Sequence, residues 1–443
     1  MKKELSALRV SDNNRFLIQE DGASFFWLGD TAWELFHRLD REETELYLRN
    51  RAELGFTVVQ AVALAELEGL STPNRYGRLP LKKNERGEYD PSQPHVEAGV
   101  YDYWDHVDFV MEKAASFGIY IALLPTWGDK YHQAWGKGPE IFTESNAKAY
   151  GQFLGKRFAD KSNIVWVLGG DRPLAKIEHF QINRALAEGI READAQRKLI
   201  TFHPKGGESS SCHVHNEAWL DFNMIQSGHG QSDRNNYAKV GRDYLLHPVK
   251  PTLDAEPCYE DHPIGFNPEN GYFDAADVRA AAYYAVFAGG FGHTYGHHSV
   301  WCMSRGQYSS LDFSDEGAYV IMSWQEAVQR PGAAQMRHVR ALLESRPFLE
   351  RVPDQELLAG NYNGANYIAA TRGSDYAFLY TPNGLTIRVK MGKITGEQVK
   401  ASWFDPRQGT ITEIGRFDNA GILAFTPPSS GRGNDWVLVL DSM

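Results

Sequence analysis

From about residue 27 to residue 344, short apolar runs alternate with amphipathic stretches, and this alternation constrains the fold more than any single motif. The runs are Trp27-Leu-Gly-Asp-Thr-Ala-Trp33, Phe56–Leu64, Ile119–Pro125, Ile164–Leu168, Leu199–His203, Phe222–Gln226, Pro251–Pro257 and Gly290–His298. Most are too short for a helix and rich in β-branched or aromatic residues, so they predict strands buried on both faces. Helical periodicity is expected over Arg41–Leu54, Asp102–Phe117, Glu144–Phe158, Lys176–Ala193, Asn235–Leu245, Asp277–Ala288 and, last, Gly317–Glu344. Alternating β and α implies a parallel sheet, and eight such units favour a closed (β/α)8 TIM barrel. No GxGxxG follows the first strand and no GxxxxGK[ST] occurs, so a nucleotide-binding fold loses its main support.

Two flanking regions complete the chain. Arg15–Ile18 and Ser24–Leu28, turning at Glu20-Asp-Gly22, predict a hairpin ahead of the first strand. Past Pro347 the pattern changes to short alternating runs at 366–371, 376–380, 386–391, 400–405, 410–414 and 437–440, which predict a small all-β sandwich. The expected division is 1–347 for the barrel with its hairpin and 348–443 for the β domain, packed together without a flexible linker.

Composition excludes several classes. A net charge of -11 without a basic stripe argues against nucleic acid, and no window is apolar enough to span a membrane. Cys212, Cys258 and Cys302 form no CxxC, against a disulfide framework or zinc ribbon. The N-terminus lacks the apolar core of a signal peptide, so a soluble cytoplasmic protein is expected; an export signal already removed would leave the same picture. Oligomeric state stays open.

In such a barrel, chemistry gathers at the carboxyl ends of the strands. Those ends offer Asp30, Trp33, Gln60, Trp127, Asp171, His203, Gln226, His229, Glu256, Tyr295, His297 and Trp301. Two carboxylates dominate. Asp171 follows strand four after Gly169 and Gly170, although capping the next helix is its plainer use. Glu256 ends strand seven inside an apolar segment, where an unpaired carboxylate is expensive and a salt bridge is the alternative. Strands four and seven lie across the mouth and can aim both groups at one volume. Two facing carboxyls are what cleavage of a glycosidic bond needs, one as proton donor and one as nucleophile or base. Aromatic residues near the strand ends would give sugar rings apolar faces.

The supporting roles are less constrained. Asp30 and Trp33 are expected at the terminal-sugar subsite, with helix capping as the alternative for Asp30. Gln60 and Gln226 either bind sugar hydroxyls or satisfy barrel backbone. His203, His229 and Tyr295 either orient Glu256 or sit in the core; Trp127, His297 and Trp301 are further substrate-binding candidates. Glu66 and Glu68, in the long excursion from Ala65 to Val100, read as a solvated loop face rather than as substrate contacts. His213-Val-His215 and His293…His297-His298 lack the HExxH spacing, so neither a metal nor another cofactor is expected. No GxSxG elbow occurs.

Trp27-Leu-Gly-Asp-Thr-Ala-Trp33, Trp166-Val-Leu-Gly-Gly-Asp171 and Asp254-Ala-Glu256-Pro257 resemble the apiosidase-like glycoside hydrolases, and the likeness spans essentially the whole chain. That family belongs with the (β/α)8 glycosidases whose acid/base follows strand four and whose nucleophile ends strand seven; it often carries a C-terminal β domain named for collagen binding. The resemblance implies a retaining, exo-acting enzyme with Asp171 as general acid/base and Glu256 as nucleophile. The implied substrate is a plant-type oligosaccharide or polysaccharide ending in apiose or another pentose or furanose. The wider clan has Asn-Glu after strand four where this chain has Gly170-Asp171, so backbone position must offset the shorter side chain. The acid is expected to need a raised pKa through burial and the charge of Glu256. The rival readings are a non-catalytic carbohydrate-binding or adhesion protein, or a metal-dependent barrel hydrolase.

Overall fold

The computed structural model describes residues 5–230, 235–306 and 319–443. Eight parallel strands curl into a TIM-like barrel: β1 (Trp27–Thr31), β2 (Val58–Val62), β3 (Tyr120–Leu124), β4 (Ile164–Gly169), β5 (Ile200–His203), β6 (Asn223–Ile225), β7 (Thr252–Asp254) and β8 (Gly292–Tyr295). The ladder runs β5-β4-β3-β2-β1-β8-β7-β6. The barrel is nearly closed between β5 and β6, where Asp221 N–H donates to Ile200 O at 2.8 Å and Thr201 Oγ1 to Phe222 O at 2.6 Å.

Among the described residues, the helices that follow the strands include α1 (Arg41–Glu53), preceded by a single turn at Leu35–Arg38, α2 (Tyr103–Ser116), α3 (Glu144–Arg157), α4 (Ile177–Ala193), α5 (Ser211–Val214), α6 (Asn236–Tyr244), α7 (Ala275–Phe287) and α8 (Pro331–Glu344). Helices α1, α2, α3 and α7 begin in capping boxes on Asp40, Asp102, Thr143 and Asp274, which satisfy N–H groups that the helix cannot pair itself. The single last helix expected from Gly317 is two. Its start lies outside the described residues, and a short helix at Trp324–Ala327 is separated from α8 by Arg330, with Pro331 opening α8. None of the described helices is long and apolar enough to cross a membrane.

Strand residues alternate between two cores, as the two-residue period of a strand requires. Val58, Val62, Ala122, Leu124, Val165 and Val167 belong to one. Val59, Ala61, Ile121, Leu123 and Trp166 belong to the other, with Tyr47, Leu48, Val107 and Leu154 of the surrounding helices. The N-terminal hairpin gains a third strand, Leu8–Val10.

The C-terminal region is antiparallel. Six strands form one sheet in the order 352–353, 369–372, 376–381, 436–442, 398–405, 410–418. A two-stranded ribbon of Ile387–Lys390 and Ile422–Phe425 clusters Ile387, Val389 and Phe425 with Leu379, Leu438 and Leu440. The domain docks on α7. Tyr283 stacks on Tyr380 at 4.7 Å, Tyr284 Oη donates to Tyr367 O at 2.8 Å, and Arg279 grips Asp435 with two hydrogen bonds of 3.0 and 2.6 Å.

Candidate active site

The backbone after β4 turns sharply into Asp171. Gly169, Gly170 and Asp171 have φ of 91°, 108° and 54°. A Cβ on Gly169 would lie 2.2 Å from His203 O, and one on Gly170 2.7 Å from Gly128 N, so both must be glycine. Asp171 is itself in the left-handed region, which aspartate tolerates better than most residues. It caps no helix, since the N-cap of α4 is Lys176. Its Oδ1 accepts from Gly206 N–H at 3.1 Å; Oδ2 accepts from Arg172 Nη1 at 3.1 Å and Trp135 Nε1 at 3.3 Å.

Glu256 stands two residues beyond β7, which ends at Asp254 rather than at Glu256. The segment is fixed from three sides. Gln60 Nε2 donates across the barrel to Ala255 O at 2.9 Å, and Gly228 N–H donates to Glu256 O at 2.9 Å. Asp254 accepts from Ser227 N–H (3.3 Å), Ser227 Oγ (2.8 Å) and Asn236 Nδ2 (2.8 Å), tying the loop after β6 to β7. Burial pushes the Asp254 carboxyl up to about 6 against those donors.

Two imidazoles flank the Glu256 carboxylate. His229 Nε2 is 3.2 Å from Oε1. His203 Nε2 is 2.8 Å from Oε2, an ion-pair approach off the line of a good hydrogen bond. Burial alone would raise Glu256, but the two histidines outweigh it and pull the group down to about 2. Asp171 moves the other way. Burial first, then the negative charge of Glu256, raises it against the opposing pull of Arg172 and His203.

Both carboxylates line one cavity of about 540 Å³, together with Trp33, Trp127, Gln226, His229 and Trp301 from the sequence-derived set. Trp33 and Trp127 meet at 5.1 Å, with the His203 ring 5.4 Å from Trp33. His203 and Gln60 act from below, on Glu256 and on the carbonyl before it.

Three candidates face elsewhere. Asp30 accepts from Tyr47 Oη and Arg51 Nε, both at 2.5 Å, and is neither a sugar contact nor a helix cap. Tyr295 Oη donates to Glu260 Oε2 at 2.6 Å and does not orient Glu256. His297 Nε2 sits 3.0 Å from Asp261 Oδ2. Asp30 and Tyr295 lie on the outward faces of β1 and β8, toward α1, the price of a one-residue step along a strand.

The long loop after β2 divides. Glu68 is exposed and accepts from Thr72 Oγ1 at 3.2 Å, as a solvated face should. Glu66 instead lines the cavity and pairs with buried Arg172.

The cavity also takes in residues that the sequence did not single out, among them Trp135, Tyr259, His262 and His298. Tyr259 fits against Gly296, where a Cβ would lie 2.1 Å from its ring. His262 stacks on His229 at 4.3 Å and meets His298 at 4.6 Å. Burial holds His262 far below its ordinary range and His298 down to about 3. His298 was legible only as part of a failed metal pattern, and no grouping of His, Cys, Asp and Glu among the described residues is arranged to hold a metal. His262 carried no local signal, because its loop joins the site only through tertiary packing.

Comparisons with known proteins place the family and the fold. The family model "Apiosidase-like, catalytic domain" matches residues 11–350, and "Putative collagen-binding domain of a collagenase" matches 352–441. A solved glycoside hydrolase family 5 structure from Bacteroides vulgatus is 35% identical, with 98% of this chain and 94% of that one covered and a TM-score of 0.88. Another, described as a glycoside hydrolase, is 35% identical over 99% and 97% with a TM-score of 0.86. A β-L-arabinopyranosidase from Geobacillus stearothermophilus, 10% identical over 94% and 97% with a TM-score of 0.55, shares the fold alone. No curated protein matches.

Proposed function

The chain belongs to the apiosidase-like glycoside hydrolases, and from that premise we propose a retaining, exo-acting enzyme with Glu256 as nucleophile and Asp171 as general acid/base. One observation carries the reading. Of the carboxyls lining the cavity, two stand in opposed environments, Glu256 held ionised by two histidines and Asp171 pushed toward its protonated form by burial and by Glu256 itself.

In the first step Glu256 attacks the anomeric carbon while Asp171 gives its proton to the departing oxygen. A covalent glycosyl-enzyme results and the leaving group departs. Asp171, now a carboxylate, takes a proton from water as that water attacks the same carbon, and Glu256 is released. The sugar leaves with its starting anomeric configuration. Trp33, Trp127 and Trp301 give the ring its apolar walls.

The substrate in this reading is a plant-type glycan ending in apiose or another pentose or furanose. Family membership supports it. A panel of aryl glycosides, with Glu256→Gln as blank, finds the sugar, and proton NMR of the first-formed product reads its anomer. The anomer of the substrate is expected; the opposite anomer would replace the nucleophile by a base acting on water.

A further inference from the structure

Arg172 poses a chemical problem for the proton donor beside it. Its guanidinium is fully buried and touches Asp171 twice, Nη1 donating to the backbone O at 2.8 Å and to Oδ2 at 3.1 Å. A cation this close to a carboxyl ordinarily holds it ionised. A donor acid so held would have no proton to give.

The same guanidinium has a second carboxylate. Glu66, from the loop after β2, meets Arg172 Nη2 in the tighter of the two ion pairs. The remaining surface of the guanidinium is occupied as well: Nε donates to Gln133 O at 3.3 Å, and the Trp135 ring lies 4.6 Å away. Glu66 is separated from Arg172 by 106 residues in sequence, yet it reaches the cavity wall and the cation together.

We propose that Glu66 is a positioning residue: by taking up the charge of Arg172, it lets that guanidinium brace the left-handed turn at Asp171 while the carboxyl keeps its proton. This rests on reading Asp171 as the acid/base. The other charged groups in reach belong to different loops. Glu256 and His203 face Asp171 from the ends of β7 and β5. Asp129, from the loop after β3, faces Arg172 but is already held by Lys130 at 2.7 and 2.8 Å. Lys205, on the cavity wall, pairs with Glu208 at 3.2 Å. Glu66 is therefore the group whose charge Arg172 contacts directly on the side away from Asp171.

The test is a carbon-13 NMR titration of the Asp171 side-chain carboxyl in the full-length protein, labelled at aspartate Cγ and assigned by Asp171→Asn. In Glu66→Gln, which keeps the shape and removes the charge, Asp171 is expected to titrate roughly one unit lower or more. The high-pH limb of kcat/KM on any aryl glycoside that is turned over should fall by the same amount. Glu66→Asp retains the charge on a shorter stem and should give a smaller fall. An unchanged Asp171 titration in Glu66→Gln overturns the proposal. A fall in Glu66→Asp as large as in Glu66→Gln also overturns it, because reach rather than charge would then be what Glu66 supplies. Should Glu66→Gln not fold, Glu66→Ala, which also removes the charge, is titrated in its place: a fall of roughly one unit or more supports the proposal and no fall overturns it. The titration needs no substrate, so a protein that hydrolyses no glycoside would defeat the proposed function while leaving this result readable.

Discussion

Charge is buried in two places in this molecule, and the two are organised on opposite rules. Where the β domain docks on α7, opposite charges are mated. Arg279 donates two hydrogen bonds to Asp435 with both side chains nearly sealed from solvent, and Tyr380 Oη adds a third donor at 3.2 Å. At the barrel mouth, Asp171 and Glu256 face one cavity, each with its own basic neighbours, and burial and the charge of Glu256 raise Asp171 while two histidines lower Glu256. A mutually satisfied pair serves docking; two acids whose surroundings pull their proton affinities apart hold a difference that chemistry can use. The comparison suggests how to tell a structural carboxylate from a working one, by asking which perturbation moves stability and which moves rate.

The largest effect should come from Glu256→Gln, which is expected to lower turnover at least about 10⁴-fold in a steady-state assay while thermal unfolding stays close to wild type. A variant retaining most of its rate would remove Glu256 from the mechanism. Asp171→Asn should cost about 10² to 10⁴-fold on substrates with a poor leaving group, and much less where the leaving phenol needs no proton; equal losses on both would contradict a donor role. At the seam the ranking inverts. Arg279→Ala leaves Asp435 buried without its cation and should cost about 3 kcal/mol in a denaturant titration, with kcat per folded molecule unchanged. The smallest effect is a shift in pH. Under the proposed mechanism the rate should rise as Glu256, held low by its two histidines, ionises and fall as Asp171, raised by burial and by Glu256, loses its proton. Removing one donor in His229→Ala raises the Glu256 pKa, so the low-pH limb of kcat/KM should move upward by roughly a unit. A limb that stays put would mean that His229 does not hold the nucleophile.

Much of the site was legible because strand ends are legible. Gly169 and Gly170 after an apolar run announced a sharp turn, and Asp171 came with it; Trp33, Trp127, Gln226 and His229 follow their strands closely enough to be found the same way. Asp30 and Tyr295 show the limit. In a parallel strand both faces are apolar, so no polar alternation reveals which side a residue takes. Asp30 consequently reads as a mouth residue until Tyr47 and Arg51 are found closing over it. Glu66 fails for a different reason, since its charged neighbours in the long loop made a solvated face the economical reading. The ribbon strand Ile422–Phe425 went unread because its four residues, Ile-Leu-Ala-Phe, are apolar throughout and show no alternation.

The order and spacing of apolar segments, with glycine and proline marking their ends, determined the barrel, the following β domain and the two acids across the mouth. These are properties of nearby residues, fixed by backbone sterics and burial that any short window records. Packing alone decided which acids face the cavity and which groups surround each. Proton affinity at Asp171 depends on Glu256, Arg172 and His203, and that of Arg172 on Glu66, groups carried by separate loops. Electrostatic interaction falls with distance through space, and only the closed barrel brings those loops within a few ångströms.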